Sequence, residues 1–306
     1  MANPIATTTL NLANHVKPGV WRKGSNLGVL SRLAPQDPTY MVGSTDMVTF
    51  TGTPKAELVG EGANKSNTNP DVSLVTAKTY KVQVTYRYTD EVAYQDEDYQ
   101  IGLIDAMAAT SVVAFSRALD LIGIHGVNPL TGVVSDSVAN YIDKASFVST
   151  IEADTTKAHY GSTALVSAAN QLVANGYQAS AIAMDPVFAS ALANEKDANS
   201  RPLYPELGFG FNVESFNGLS AATSDTVSGR NELSADKALD LAIMGDFNAF
   251  NWGIARDMPL EQITMGDPDG KGDLKRTNQV AIRAESYIGF AFMDPKAFVL
   301  VKKKAA

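Results

Sequence analysis

Reactive side chains are sparse in this sequence of 306 residues, and their spacing is poor for catalysis. There is no cysteine, which removes disulfides, thiolate metal sites and a cysteine nucleophile. The three histidines, His15, His125 and His159, stand apart, without the i, i+4 pair or flanking carboxylates of a zinc motif. The sequence therefore predicts no metal site. No Gly-x-Ser-x-Gly elbow or P-loop occurs, and GFGF at 208–211 lacks the further glycine of a dinucleotide loop. DPDGKGD, with Asp267, Asp269 and Asp273, has some of the acid spacing of a calcium loop. The position that should supply its bidentate Glu is Asn278, and a hairpin turn is the better reading. Asp96 and Asp98 could in principle serve acid–base work, yet they open a predicted helix, where acids complement the dipole. No catalytic residue and no cofactor is assigned.

The elements that would have to position any chemistry are easier to read. Pro4, Pro18, Pro35 and Pro38 interrupt the first forty residues, which read as an extended arm. Residues 45–59 and 72–88 are rich in strand formers and flank a Gly/Asn/Ser/Pro cluster, predicting a long two-stranded hairpin. In its second strand Tyr80, Val82, Val84, Tyr86 and Tyr88 alternate with Lys81, Gln83, Thr85 and Arg87, so one face packs and the other is wet. Beyond Asp90 the period changes to that of a helix, with a stripe of Ile101, Ile104, Ala108, Val112, Phe115, Leu119 and Ile122, stopped by Gly123, Gly126 and Pro129. Residues 134–240 read as mixed α/β: a helix from Ser162 to Gly176, a buried strand SAIAMD, and a helix capped by Asp185 with Pro186 at its first position. Residues 217–234 read as a polar surface loop, and NWGIAR, LEQITM, QVAIRAE, YIGFAFM and AFVLV as five strands.

Composition excludes other classes. With 45% hydrophobic and 19% charged residues the chain is an ordinary globular one, and no run approaches the roughly 18 apolar residues of a membrane span. The start lacks the order of a signal peptide, so a soluble, unexported protein is expected. A net charge of −8 argues against general nucleic-acid binding. The charge is unevenly spread. Residues 1–36 hold Lys17, Arg22, Lys23 and Arg32 and no acid, a net +4, whereas 88–122 hold seven acids, among them Asp96, Glu97 and Asp98, against Arg117, a net −6. Either both are solvated, or one segment lies on the other in a neighbouring subunit. An arm and hairpin of this length cannot bury themselves on one globule.

The order of elements resembles that of the major capsid proteins of tailed phages, the Hong Kong 97-type fold. HGVNPLTGVV (125–134), MDPVFASALANEKDANSRPLYPE (184–206), MGDFNAFNWGIARDMPLEQI (244–263), NQVAIRAE (278–285) and DPKAFVLV (294–301) are similar to that family's segments in the same order. The resemblance implies an α+β fold with an N-terminal arm at 1–40, an extended hairpin loop at 41–79 and a peripheral domain with a long spine helix at 80–133 and 246–306. It also implies a mixed α/β axial domain at 134–245. The implied function is self-assembly as pentamers and hexamers into the icosahedral head of a tailed bacteriophage enclosing double-stranded DNA, after assembly in the host cytoplasm. Implied partners are other copies of the chain, a separate scaffolding protein, a portal and a decoration protein, with packaged DNA held without sequence-specific contact and no membrane. An encapsulin-type compartment is the rival of the same fold, and a soluble hydrolase the rival of another class. The family's founding member joins a hairpin Lys to an Asn with a Glu as base, which marks Lys65, Asn278 and Glu285 as crosslink candidates. Two further expectations follow: Ile104→Asp should unfold the subunit by burying a charge, and deletion of residues 1–30 should leave it folded but unable to form stable shells.

Overall fold

A computed structural model of the chain describes residues 27–37, 42–50, 56–65, 72–94, 97–209, 213–257 and 260–304. They form two sheets and four α-helices: α1 (Leu30–Leu33), α2 (Glu97–His125), α3 (Tyr160–Ala174) and α4 (Pro186–Ala193). The first sheet is antiparallel, in the order β1 (Ser44–Phe50), β2 (Val72–Thr89), β10 (Gln279–Phe292), β8 (Phe250–Asp257). β9 (Glu261–Ile263) shares the β8 edge of β10. The second sheet runs β3 (Ser149–Ala153), β11 (Phe298–Lys303), β7 (Asp240–Gly245), β4 (Ala181–Met184), β6 (Leu219–Thr223), β5 (Ser215–Phe216). An aromatic core of Phe247, Phe250, Phe290, Phe292 and Phe298 lies where α2 meets both sheets, with Phe250 and Phe292 4.9 Å apart at their centroids. A second core fills the space between α3, α4 and the six-stranded sheet.

The hairpin forms as its strand-forming residues require, in the register Phe50↔Val72 to Ser44↔Lys78. Its first strand ends at Phe50, and 56–60 are irregular, short of the extent to 59 that composition suggested. β10 pairs with β2 only from Lys78 onward, so residues 72–77 and β1 make a two-stranded ribbon that runs past the sheet. The expected wet face of β2 holds at Lys81 and Gln83 and fails at Arg87, which is 9% exposed.

Helix α2 is two different helices in succession. Between residues 102 and 113 only Leu103, Ala106, Met107 and Ser111 are buried, while Ile104 and Val112 of the predicted stripe are 43% and 62% exposed. In its last two turns every residue from Ala118 to His125 is buried. The stripe was misplaced because two apolar faces exist there, and only one meets this chain's own β2 and β10. Ile104→Asp therefore sets its charge at a half-open surface rather than in the core. Gly126, at φ +65°, ends the helix at a point where a Cβ would fall 2.4 Å from the Tyr141 ring; Gly123 lies inside it, where a Cβ would meet Leu30 at 2.9 Å, so it is a packing notch and not a stop. The segment Gly102–His125 has the length and composition of a membrane span, but half of its apolar window is buried in the core of this fold.

In the middle region Asp185 caps α4 as expected, accepting from Val187 N at 2.7 Å, and β4 is buried throughout. Helix α3 begins two residues early, at Tyr160. Its first N–H groups are met by a distant carboxylate, with Gly161 N donating to Glu195 Oε1 at 3.0 Å, rather than by Ser162. The expected surface loop at 217–234 is instead β6 followed by a buried polar run, Ser224, Asp225, Thr226 and Ser228. Polar composition misled there because each side chain has a buried partner. QVAIRAE and YIGFAFM are one continuous strand, β10, whose register on β8 shifts between Tyr287 and Ile288. The C-terminal strand β11 sits between β3 and β7 in the second sheet, not beside β8 and β10.

Candidate functional site

The chemically dense part of the molecule is a buried polar junction between α2, the root of the arm and residues 224–232. Asp120, fully buried on α2, accepts from Val29 N at 2.6 Å and Leu30 N at 2.9 Å, capping α1, and from the Thr226 hydroxyl at 2.5 Å. Burial pushes its carboxyl up to about 6, against the pull of those three donors and of Arg117. Gly28 N donates to Ser116 Oγ at 2.9 Å, and a Cβ on Gly28 would fall 2.5 Å from Ser116 O, so glycine is required for the approach. One turn from Asp120, Arg117 donates to Asp225 at 2.6 Å and to Glu232 at 2.6 Å. Burial works against the charge of Asp225, but Arg117 and Asn231 override it and hold the carboxyl below its usual range. Asp185 accepts from Ser228 Oγ at 2.6 Å and pairs with Arg230 at 3.0 Å. His125, the last residue of α2, meets the Thr226 carbonyl through Nε2 at 3.1 Å and faces Asp143 and Asp240 through Nδ1.

This junction can do little as a catalyst. Its carboxylates at Asp120, Asp185 and Asp225 are occupied by backbone, hydroxyl and guanidinium donors. What it can do is fix geometry: it locks the arm's root and residues 224–232 onto the spine helix with directional bonds.

The acid-rich loop 267–273 has the same character. Arg87 donates to Asp267 at 3.0 Å, to Asp269, and to the Gly272 carbonyl at 2.9 Å, with Gln279 at 3.2 Å on its other nitrogen. The turn reading is right: of the acids that resembled a calcium loop, Asp267 and Asp269 hold a guanidinium, and Asp273 accepts from Arg276 N at 3.0 Å.

The crosslink candidates lie apart. Lys65 is exposed. Asn278 ends a short 3₁₀ turn at φ +49° and leads into β10; Glu285, within β10, pairs with Lys81 at 2.8 Å. Seven strand residues span about 23 Å, so Asn278 and Glu285 cannot serve one lysine within a single chain. Of the charge-pair candidates, Lys17, Arg22, Lys23 and Asp96 lie outside the described residues, Glu97 and Asp98 open α2, and Arg32 is exposed on α1. Asp120 and Arg117, counted in the same charge tally, are engaged within their own chain. Of the residues that composition passed over, Asp120 and Asp240 carried one signal, since a carboxylate inside an apolar run such as RALDLIGIH or ALDLAIMGD is a buried one; Asp225, in the polar run AATSDTVSG, carried none.

Residues 10–303 match the Phage capsid family. The chain is 25% identical over 262 residues to the "Probable major capsid protein gp17" of Mycobacterium phage D29, covering 82% of this chain and 77% of that protein. Among solved structures it is similar to one from Mycobacterium phage Ogopogo, with 37% identity, 99% and 100% of the two chains covered and a TM-score of 0.80. One from Gordonia phage Cozz gives 28% identity, 97% and 93% coverage and a TM-score of 0.81. Neither a cargo compartment nor a hydrolase finds support among these similar proteins.

Proposed function

The chain belongs to the phage capsid family as a major capsid protein of the tailed-phage type, a structural and not a catalytic part of the virion, and from that premise we propose how it builds the shell. Copies associate as pentamers and hexamers into an icosahedral head around double-stranded DNA, with a separate scaffolding protein, in the host cytoplasm. The hairpin reaches over a neighbouring copy while the arm grips another.

The observation that carries this reading is the ribbon. A two-stranded hairpin is marginal in water by itself. Here it runs beyond the sheet and presents Val48 at 60%, Val72 at 57% and Leu74 at 62% exposure. The net charge of −8 favours weak, unspecific contact with packaged DNA.

Negative-stain microscopy of the chain expressed with and without its phage's scaffolding protein tests the assembly. Rings and closed shells are expected, and a monomer under every condition overturns the proposal. Nuclease-protected DNA in particles from a phage lysate tests the cargo; protein cargo alone would overturn that part. Boiling the same particles in denaturant reads the crosslink. A ladder above the 32.5 kDa monomer would join Lys65 to Asn278 of a neighbour, and a single monomer band ends that idea.

A further inference from the structure

We propose that His125, Asp143 and Asp240 form a divalent-cation site of the zinc class, which ties the end of the spine helix to the six-stranded sheet. Nothing in the shell-building role requires it. The three side chains come from rigid, separately anchored places. His125 closes α2, Asp143 is held by its N–H to the Ile124 carbonyl at 2.7 Å, and Asp240 is the first residue of β7.

Four observations carry the assignment. His125 is 2% exposed and Asp240 0%, yet His125 Nδ1 and Asp240 Oδ2 lack a hydrogen-bond partner and Asp240 Oδ1 has only the Lys302 ammonium at 3.5 Å, a costly state for buried polar atoms. His125 Nε2 lies 3.1 Å from the Thr226 carbonyl and must be the N–H that donates to it, so in the neutral ring the lone pair is on Nδ1, which faces two carboxylates. That is the outer bond a metal-bound imidazole makes.

The distances discriminate between an ion and a proton. Nδ1 stands 3.8 Å from Asp143 Oδ2 and 3.7 Å from Asp240 Oδ2. A proton on Nδ1 would draw one carboxylate to about 2.8 Å. Nearly equal separations of this size are close to those of ligands about 2.1 Å from a shared tetrahedral ion. Finally, the charge does not balance. Lys302, opposite Asp240 on β11, pairs with Asp143 Oδ1 and stands 3.5 Å from Asp240 Oδ1. With a neutral imidazole and both carboxylates ionised, one ammonium leaves a negative charge here that a cation would offset, and both Oδ2 atoms face the imidazole. The Asp143 side chain is 21% exposed, so the site has a side open to solvent for ion entry and a water ligand. One nitrogen and two oxygen donors suit zinc or manganese.

The test uses the full chain, purified and stripped with EDTA. Wild type should take up about one equivalent of Zn²⁺ by elemental analysis, and melt about 5 °C higher at a hundredfold excess over Kd. Cobalt should give a visible absorption band. Asp240→Asn and His125→Gln should lose uptake and band. If those variants do not fold, Asp143→Asn, on the more open side, serves the same purpose. Absence of uptake with unchanged melting in EDTA overturns the site, as does equal uptake by wild type and all variants.

Discussion

The polar junction and the hairpin ribbon are opposites. In the junction, Asp120, Asp185 and Asp225 have all found donors inside their own chain. On the ribbon, Val48 and Leu74 have no such cover. One region has finished its business on folding, and the other defers it to assembly. The contrast teaches that stability of the subunit and competence to build a shell are encoded in different residues, so each should be removable without the other.

Truncation tests this most severely. Val29 and Leu30 are 0% exposed and Asp120 is fully buried beneath them. Deleting residues 1–30 should therefore cost the monomer about 4 kcal/mol through lost burial and an orphaned carboxylate. That reverses the expectation of a folded remnant. Deleting 1–26, which spares Gly28, Val29 and Leu30 and their bonds to α2, should abolish shells at a smaller cost to the melting curve. Equal melting of the two truncations by calorimetry would mean that the Val29 and Leu30 bonds to Asp120 contribute nothing to the subunit.

Arg117→Leu should cost about 3 kcal/mol at neutral pH, because Asp225 and Glu232 lose their cation while Asp225 stays buried. Asp225 has its folded carboxyl below the unfolded value. Its share of stability is therefore full above the unfolded value of about 3.9 and lost as pH falls through the lower folded one. The difference between wild type and variant in urea unfolding should shrink below about pH 4. A difference that is constant with pH would mean that Arg117 acts by packing alone.

The smallest effect on stability should come from the ribbon and the outer face of α2. Leu74→Lys, Val48→Asp and Ile104→Asp each alter exposed positions and should shift unfolding by less than about 0.5 kcal/mol. The ribbon pair should nevertheless prevent particles from forming under the microscope. Normal particles from both would show that the ribbon's apolar face is idle in the shell.

Much of the fold was legible because local chemistry decided it. The Asp185–Pro186 helix start, the buried β4 and the alternation of β2 are all statements about neighbours in sequence, and the structure follows them. What failed was non-local. Arg87 looked wet until loop 267–273 closed over it, and 224–228 looked exposed until α2 supplied Arg117 and Asp120. The stripe through Ile104 and Val112 was a real apolar face, assigned to this chain's core although its own sheet does not cover it. The junction was the least legible part, since the partners of its bonds are up to 115 residues apart.

The two bonds from Val29 N and Leu30 N to the oxygens of Asp120 have a consequence for the particle as a whole. Greasy joints slide and rotate within their tolerance; a carboxylate gripping two successive amides behaves as a keyed coupling with one angular setting. In a closed surface, an error of a few degrees per tile accumulates around every ring until the edges no longer meet. By gripping Val29 and Leu30, Asp120 gives every copy the same setting of the arm's root on the spine helix, one angle fewer to be decided at each seam.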